Sequence, residues 1–367
     1  LELWINQLLL LDIDTSVQTE SVAVSIANLE FSSLQARELA QDETLLKQVF
    51  GLLIDAHYQT RPVDCRFLLD APNAQLHISR FGEEIAGLIW SMDEGGLEPA
   101  IARCVVAGNR RPQGHLVPQV LGAHLGQEQA LTLRCRRVQR IVVKPEFQGQ
   151  GIGSWMLAHL ETTSMTQIDY LASSFGVDLP LARFWARSGY TPVRLGDRAR
   201  AASGQHSAVV LKALSPPAAQ LVDQARALFL PQLGAQLSRQ LNRLDPCLVY
   251  ELGREGPLQA VLNARQLKAA FLFALASRPY ESSLEALIRI ARFTLSGGAE
   301  EVAIPPAFRE LLIARVLQLR TWSECARMLK LEGRQQCVAL MRKGIRSLLE
   351  YHYPAEVLAA LQADYCD

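Results

Sequence analysis

The sequence predicts an α/β domain, with a mixed sheet flanked by helices, followed by a mostly α-helical region. Between residues 36 and 214, segments of alternating apolar and polar residues are interspersed with segments of helical apolar spacing, which is typical of an α/β domain. After Ser215-Pro216-Pro217, leucine and alanine recur at three- and four-residue intervals, which predicts helices. The 367 residues, of which 49% are apolar and 20% charged, are enough for two or three folded domains.

The predicted elements of the α/β domain begin with helices and continue with strands. Apolar residues at helical spacing predict one or two helices in 34–57, and a further short helix ends at Leu69. Apolar segments on either side of Gly82-Glu83-Glu84 predict a hairpin over 75–92. Residues 95–126 predict a loop that contains one helix. The remaining predicted elements are a strand over 130–143, a helix over 149–161, a strand over 168–174, a helix over 180–188 and a strand over 207–213.

The region after the two prolines contains seven segments of helical spacing. They are 218–230, 236–244, 258–276, 283–295, 306–317, 323–330 and 334–349. No internal repeat and no low-complexity segment occurs among them. We therefore expect a helical C-terminal domain from residue 215 to residue 367.

Composition excludes several classes of protein. The chain has 37 basic and 37 acidic residues, which excludes a uniformly basic nucleic-acid coat and an acidic tail, although not a local basic face. No apolar run is long enough to span a membrane. The seven cysteines are scattered without a Cys-x-x-Cys pair, which argues against disulfides or a metal site and favours a reducing cytoplasm.

A glycine-rich turn between a strand and a helix is the most informative segment. An apolar strand ends at Val143, the turn contains Gly149 and Gly151, and a helix follows directly. At such a junction several backbone N–H groups point outward at a helix N-terminus, which makes a site for an anion such as a pyrophosphate. Glycine is needed because a Cβ atom would keep the phosphates away from the backbone.

Three ligand-binding patterns compete for this turn. A P-loop requires a lysine and a Ser or Thr after its last glycine, and no lysine follows Gly153. A dinucleotide fingerprint requires Gly-x-Gly-x-x-Gly, whereas here glycine stands at every second position. The Gln/Arg-x-x-Gly-x-Gly/Ala loop of the GNAT acyltransferases is matched by Gln148, Gly151 and Gly153. The sequence of the loop alone is also consistent with a glycine-rich turn that caps the helix and binds no ligand.

A second segment resembles the GNAT family as well. Residues 182–190, Ala-Arg-Phe-Trp-Ala-Arg-Ser-Gly-Tyr, are similar to the family's Ala-x-x-Phe-Tyr-x-x-x-Gly-Phe element. The resemblance implies a GNAT fold, in which two parallel strands splay apart and the pantetheine arm of the cofactor pairs with the first. Trp185 stands where the family often has a tyrosine that protonates the leaving thiolate. The catalytic residues therefore stay unassigned.

The chain also resembles the bacterial tRNA(Met) cytidine acetyltransferase family over nearly its whole length. The matching segments are 56–64 (Ala-His-Tyr-Gln-Thr-Arg-Pro-Val-Asp), 68–72 (Leu-Leu-Asp-Ala-Pro), 140–145 (Arg-Ile-Val-Val-Lys-Pro), 169–176 (Asp-Tyr-Leu-Ala-Ser-Ser-Phe-Gly), 183–185 (Arg-Phe-Trp) and 188–190 (Ser-Gly-Tyr). Members acetylate N4 of the wobble cytidine of elongator tRNA(Met), using acetyl-CoA and ATP or GTP. This implies the same activity and partner here.

The resemblance also implies domain limits and acetyl-CoA contacts. Residues 1–35 would be the end of a helicase-like ATPase module, whose Walker pattern does not occur in the 367 residues. Residues 36–214 would be the GNAT domain, and 215–367 a helical tRNA-binding tail. The family has an acidic residue seven positions before Arg187, and Pro180 stands there. The implied acetyl-CoA contacts are Ile141, Val142, Val143, Gln148, Gly149, Gln150, Gly151, Ile152, Gly153, Ser154 and Arg187.

Clusters of arginine and lysine predict where RNA would bind. Residues 309–346 contain nine basic and three acidic residues within a neutral chain. On a strand, Arg134, Arg136 and Arg140 would share one face and lead RNA phosphates to the acetyl group; Arg110-Arg111 and His115 would extend this track. A solvated charged surface explains the same patterns. The candidate RNA-binding residues are Arg134, Arg136, Arg137, Arg140, Arg342, Lys343 and Arg346.

Three functions remain compatible with the sequence. The first is acetylation of a tRNA cytidine. The second is an RNA-binding module that holds acetyl-CoA without useful turnover, and the third is a GNAT enzyme that acts on a protein amine. A protein amine would need a base to deprotonate it and acidic residues to attract it, so the arginine-rich surroundings of the loop favour RNA.

Overall fold

The computed structural model describes residues 25–55, 62–199, 203–254, 262–297 and 304–365. The chain forms two compact units. The first comprises the described parts of Leu1–Gly176, with Phe184–Arg194 and Ser207–Leu228. The second comprises the described parts of Val177–Arg183, Leu195–His206 and Phe229–Asp367. Residues 1–24 and 56–61, which carry most of the predicted ATPase remnant and the start of one family segment, lie outside the described residues.

One mixed sheet organises the N-terminal half of the chain. Its order is β1-β2-β3-β4-β5-β7-β6, with antiparallel pairing throughout β1 to β4, parallel pairing of β4 with β5, and antiparallel pairing of β5 with β7. The strands are β1 (Leu29–Leu34), β2 (Ala74–Phe81), β3 (Glu84–Gly95), β4 (Arg134–Val143), β5 (Tyr170–Gly176), β6 (Thr191–Ala199) and β7 (His206–Ala213). The sheet therefore begins at Leu29, before the domain start that the sequence predicts at residue 36.

Helices cover both faces of this sheet. They are α1 (Ala36–Gln41), α2 (Glu43–Asp55), α3 (Pro62–Asp70), α4 (Pro99–Val106), α5 (Leu116–Leu125), α6 (Gln129–Thr132), α7 (Ile152–Ser164), α8 (Leu179–Arg187) and α9 (Pro216–Leu237). On one face, Phe50 of α2 packs with Leu88 and Trp90 of β3. On the opposite face, Met156 of α7 packs with Val138 of β4. Two apolar cores thus hold the middle strands between helical layers.

The fold differs from the prediction in two segments of this half. Residues 130–143 are not one long strand, because α6 precedes β4. Leu131 and Leu133 alternate as in a strand, yet their carbonyls accept hydrogen bonds from Leu97 and Gly96, outside the β3–β4 ladder. The predicted loop at 95–126 contains a second helix, α4, whose Ala102 and Val105 are buried.

The C-terminal half is helical, as predicted. After α9 it contains α10 (Pro246–Gly253), α11 (Ala264–Leu275), α12 (Leu284–Leu295), α13 (Pro306–Leu312) continued by a π turn (Ile313–Leu317), α14 (Trp322–Leu329), α15 (Arg334–His352) and α16 (Ala355–Tyr365). Their common core includes Phe271, Leu287, Phe308 and Met341. Helix α9 continues through Pro231, where the sequence predicts an end at residue 230. None of the described helices has the length and apolar character that crossing a membrane requires.

Candidate functional site: an open strand edge and a glycine loop

The parallel strands β4 and β5 separate half-way along β4. They pair only over Cys135–Val138 of β4, opposite Tyr170–Ser173 of β5. Beyond this stretch β4 stays paired with β3 as far as Val143, while β5 continues beside β7. Among the described residues, the edge of β4 from Gln139 to Val143 therefore has no strand beside it. We call this edge the open edge and the space beside it the gap.

The backbone groups of β4 alternate between β3 and the gap. The amide of Lys144 donates to the carbonyl oxygen of Ala86 at 2.9 Å, on the β3 side. Since successive residues in an antiparallel ladder present their backbone groups to opposite sides, Val142 also faces β3, whereas Ile141 and Val143 face the gap. An extended ligand in the gap would thus meet the amides of Ile141 and Val143, as an added strand does.

Glutamine side chains fix the turn that follows β4. Gln148 Nε2 donates to the carbonyl oxygen of Val143 at 2.9 Å. Gln150 Nε2 donates to the carbonyl oxygen of Glu146 at 3.5 Å. Both glutamines were predicted to contact acetyl-CoA, and in the structure a side-chain N–H of each also holds the turn.

Lys144 holds the same turn to the neighbouring hairpin. Its Nζ lies 2.7 Å from Glu84 and 2.5 Å from Glu146, whose side chain is 5% exposed. Partial burial opposes the charge on Lys144, but the hydrogen bonds that its ammonium donates to Glu146 and Glu84 outweigh this effect and raise its pKa. Nothing in the sequence pattern pointed to this cluster, because Glu84 is remote along the chain.

The glycine turn presents backbone amides without covering side chains. Gly149 and Gly151 have φ angles of +76° and +83°, in the left-handed region that favours glycine. Helix α7 begins at Ile152, and its N-cap is Gly151, which has no side chain to cap it. The amides of Ile152, Gly153 and Ser154 therefore lack acceptors within the helix. This arrangement fits the phosphates of a CoA-type cofactor.

Helix α8 packs directly on this turn. A Cβ atom added to Gly153 would lie 3.2 Å from the ring of Phe184, so the two helices approach closely there. Ser188 Oγ lies 3.3 Å from Ser154 Oγ. Arg187 is the exposed last residue of α8, beside these contacts. The structure thus brings the Phe-Trp segment and the glycine turn together.

The aromatic residues of this segment form a core and not a proton donor. Trp185 is 3% exposed, with its ring centroid 5.5 Å from that of Phe175 and 4.7 Å from that of Tyr190. The Tyr190 hydroxyl is buried without a hydrogen-bond partner, and burial strongly raises its pKa. Neither residue can deliver a proton to a thiolate in the gap, so the catalytic acid stays unassigned.

Two family models match the chain. The model described as GNAT acetyltransferase 2 matches residues 48–163 and 154–215, and the tRNA-binding domain model matches residues 229–355. The tRNA(Met) cytidine acetyltransferase TmcA of Nitrosococcus halophilus is 37% identical over 354 residues, which are 95% of this chain and 47% of that protein. The chain belongs to the tRNA(Met) cytidine acetyltransferase family.

Other members of this family are similarly related. The TmcA of Vibrio cholerae is 32% identical over 355 residues, 95% of this chain and 47% of that protein. The chain spans about half the length of the curated relatives it matches. Among solved structures, a polyamine N-acetyltransferase of Drosophila melanogaster aligns with a TM-score of 0.36 and 13% identity, covering 50% of this chain and 99% of that one.

In this family member, two of the β4 arginines are held in ion pairs, Arg136 fully buried and Arg137 half-buried. Arg136 is 3% exposed, and its Nε donates to Asp93 at 2.7 Å. Arg137 Nε donates at 2.6 Å to Glu94, whose side chain is completely buried. Neither guanidinium is exposed enough to form the surface phosphate track that the sequence predicts. Arg134 is exposed and remains compatible with that track.

The predicted common face of these arginines is wrong. The β3–β4 register shifts opposite Gln139, so one extra residue enters β4 there. A one-residue shift moves all later side chains to the other face of the sheet. Arg136 consequently hydrogen-bonds Ser164 of α7 at 3.0 Å, whereas Arg140 lies 5.9 Å from the ring centroid of Trp90 on the opposite face.

Several basic residues of the helical half also have structural roles. Arg320 donates to the carbonyls of Asn242 and Leu244, at 2.8 and 2.7 Å. Arg342, a candidate RNA contact, donates to the carbonyl of Ala276 at 2.8 Å. Such bonds satisfy carbonyl groups at helix ends and turns.

The other two candidates in the tail lie at the surface. Lys343 is exposed, and so is Arg346, which pairs with Glu350 at 2.7 Å on the same helix. An exposed pair at this spacing contributes little stability and exchanges readily for a phosphate. Lys343 and Arg346 therefore remain the candidates of α15 that RNA can reach.

Proposed function

We propose that this chain binds acetyl-CoA and transfers its acetyl group to N4 of the wobble cytidine of elongator tRNA(Met). The observation that carries the proposal is the open edge of β4, which leads directly into a turn of uncovered backbone amides. The named activity of the family members supports the choice of acceptor. The tRNA-binding domain model over residues 229–355 supports tRNA as the partner.

The cofactor contacts follow from the direction of the backbone groups. Ile141 and Val143 would pair with the pantetheine arm, and the amides of Gly149 to Ser154 would receive the pyrophosphate. Val142 would contribute packing only, because its backbone faces β3. Arg187, at the exposed end of α8, would add a charge-assisted contact to phosphate.

Acetyl transfer to N4 depends more on the orientation of the reactants than on acid–base catalysis. Acetyl-CoA supplies a thioester that is already activated for acyl transfer. The N4 amine of cytidine is uncharged at neutral pH, so no base is needed to free its lone pair, but delocalisation into the ring makes it a weak nucleophile. Alignment of the amine and donation of N–H groups to the carbonyl oxygen therefore dominate. Ile141 faces the gap nearer to Gln139 and the acetyl end, so its amide would be the donor, while its carbonyl and the amide of Val143 pair with the pantetheine arm.

The division of labour along the chain is part of the proposal. We assign acetyl transfer to the sheet domain, from Leu29 to about residue 214, and tRNA docking to the helical tail from 215 to 367. On the resemblance, ATP or GTP serves a helicase-like module of the longer family members. A cytoplasmic location agrees with the scattered cysteines.

Transfer of a radiolabelled acetyl group tests the proposal. The 367-residue chain is given labelled acetyl-CoA with elongator tRNA(Met), with the same tRNA carrying uridine at the wobble position, with the single-stranded anticodon-loop oligonucleotide, and with lysine-containing peptides. We expect N4-acetylcytidine, identified by mass spectrometry after nuclease digestion, from the cytidine RNAs only. ATP is added in a separate arm.

The other outcomes each reject the proposal in a distinct way. Label in the peptides and not in RNA would identify a protein acetyltransferase. Binding of acetyl-CoA and RNA without label in either would identify a binding module. Label in the uridine-substituted tRNA at the same level would exclude the wobble cytidine as the acceptor.

A further inference from the structure

A cavity with charged side chains in its lining lies on the same face of the sheet as Arg140, outside the proposed cofactor contacts. Its volume is about 470 Å³, within the range of pockets that hold small ligands. It is formed between the end of β3, the middle of β4, helix α5 and the loop that connects α4 to α5. Its charged and imidazole-bearing lining residues are Glu94, Arg110, Arg111, His115, His124 and Arg137. We call it the Arg110 cavity.

The inner wall of the Arg110 cavity is a fixed polar network. The buried carboxylate of Glu94 accepts from Arg137 Nε at 2.6 Å and from the amide of Val117 at 2.9 Å. His115 Nδ1 accepts from the amide of Gly95 at 2.9 Å, so a neutral His115 carries its hydrogen on Nε2. The carboxylate of Glu94 is completely buried, so it holds Arg137 and the start of α5 in place and does not itself reach the cavity. His115 is half-buried, and its Nε2–H is a donor that a polar base could meet.

The rim of the cavity is positively charged. Arg110 and Arg111 are exposed, and within the described residues neither has a carboxylate partner. They follow Gly108, whose φ of +80° ends the extension of α4 and turns the loop outward. With the histidines neutral, the charged lining side chains carry a net charge of +2. An anionic ligand is therefore favoured at the rim, and a phosphodiester is the anion that an RNA offers.

The cavity adjoins the start of the open edge. Arg137, in its wall, donates from Nη2 to Gln139 Oε1 at 3.3 Å. Gln139 is the first residue of β4 beyond the pairing with β5. A cofactor held by the glycine turn beyond Val143 and running back along β4 would bring its acetyl end toward Gln139. An acceptor must approach from that end, where the Arg110 cavity lies.

We propose that the Arg110 cavity binds the acceptor nucleotide of a single-stranded RNA segment. Arg110 and Arg111 hold its phosphates, and His115, positioned by the amide of Gly95, contacts the base. A nucleotide has to leave its stack to enter such a cavity, which single-stranded RNA allows at low cost. The assignment rests on the proposed RNA acetylation and names the subsite that this activity would use.

Binding of a short RNA tests the assignment without requiring turnover. The probe is a fluorescein-labelled RNA pentamer with one central cytidine, titrated with the 367-residue chain and followed by anisotropy. Two variants change the cavity at exposed positions: Arg110→Ala with Arg111→Ala, and Ala123→Trp on α5, which fills it. Arg103→Ala is the matched control, because Arg103 is an exposed arginine of α4 outside the lining.

We expect the double arginine variant to weaken binding by at least about tenfold. The plot of log affinity against log salt concentration should become less steep, its slope decreasing in magnitude by about 0.7 for each phosphate that the variant no longer neutralises. Ala123→Trp should reduce the affinity for the cytidine pentamer to that for a pentamer with an abasic central site. The affinity of Arg103→Ala for the pentamer should equal that of the wild type. Every variant should bind acetyl-CoA with the wild-type affinity, and circular dichroism should show an unchanged fold.

The result that overturns the assignment differs from the one that overturns the proposed function. If RNA is acetylated but neither cavity variant differs from Arg103→Ala in affinity or KM for the pentamer, the cavity is not the acceptor subsite. If both variants lose affinity but the wild-type chain acetylates no RNA, the subsite stands and acetyl transfer to RNA is rejected.

Discussion

The hydroxyl of Ser173 donates a hydrogen bond of 3.0 Å to the carbonyl oxygen of Val138, at the last residue pair that joins β4 to β5. Both residues are buried. In a continuous parallel ladder a backbone amide would satisfy a strand carbonyl. Here a side chain takes that role, so the two strands can separate beyond this point without leaving Val138 unpaired. The separation creates the gap in which the cofactor is proposed to lie.

Ser173→Ala should therefore weaken both the sheet and the cofactor site. The substitution leaves the buried Val138 carbonyl without a partner, which costs about 1–2 kcal/mol of unfolding free energy. Urea denaturation checks this cost, and calorimetry should report weaker acetyl-CoA binding. Ser174→Ala is the control, because that half-buried hydroxyl has no corresponding bond to β4. Equal effects of both substitutions would contradict a special role for the Ser173 bond.

Gly149→Ala should reduce acetyl-CoA affinity by about tenfold or more. The added methyl group points into open space, so it meets no protein atom, but it strains a φ of +76° and covers the amides of the turn. Gly126→Ala is a matched control, since Gly126 has a φ of +66°, equally open surroundings and no place in the cofactor site. Both variants should lose about 1 kcal/mol of stability. A similar cofactor affinity in the two variants would remove the turn from the binding site.

The effects of Arg136→Ala and Arg134→Ala on stability and tRNA affinity should distinguish a structural arginine from an RNA-binding one. Loss of the Arg136 guanidinium leaves Asp93 and Ser164 without their buried partner and should cost about 3 kcal/mol of stability. Arg134→Ala should leave stability nearly unchanged and weaken tRNA binding in a salt-dependent way. Thermal unfolding and filter binding at two salt concentrations measure both effects. A stable Arg136→Ala protein with reduced tRNA affinity would restore Arg136 to the predicted phosphate track.

The sequence predicted the parts of the site that are contiguous in the chain. The strand, glycine turn and helix around Gly151 form a local unit, so their spacing predicted an anion site, and the resemblance to the GNAT family selected among its possible ligands. The burial of Arg136 could not be predicted, because its partner Asp93 lies on another strand. The β-bulge at Gln139 could not be predicted either, because a bulge depends on how β4 pairs with β3. It reversed the face assigned to Arg140 and brought that side chain to the face that carries the Arg110 cavity.

His77 should make the protein less stable in mild acid. It is 2% exposed, with Nδ1 3.0 Å from Ser33 Oγ and its ring stacked on Phe31. Burial, aided by the charge of Arg136 and opposed by Asp93, lowers its pKa to about 4. The folded protein thus keeps His77 neutral, whereas the unfolded chain protonates it near its ordinary value of 6.5. The stability present above pH 6.5 is lost as the pH falls from 6.5 toward 4.

Denaturation at two pH values measures this linkage. Between pH 7 and pH 5 the His77 contribution amounts to about 2 kcal/mol, from 1.4 kcal/mol for each pH unit below 6.5. His77→Gln should be less stable than the wild type at pH 7 and should lose about 2 kcal/mol less on acidification. His124→Gln, at an exposed histidine, should lose as much as the wild type. Parallel pH profiles for wild type and His77→Gln would show that His77 titrates normally.

Alanine substitution at two glycines of the helical half should change the free energy of unfolding in opposite directions. An added Cβ at Gly344 of α15 would overlap the ring of Phe308, which is completely buried on α13. Gly344→Ala should therefore lower the free energy of unfolding by about 1–3 kcal/mol through overpacking. Gly234, within α9, has no atom within 4 Å of an added Cβ, and alanine there should raise stability by about 0.5–1 kcal/mol, because it lowers the entropy of the unfolded chain. Urea titration and hydrogen exchange in α13 and α15 follow both changes, and a Gly344→Ala protein as stable as Gly234→Ala would contradict the close packing of α15 on Phe308.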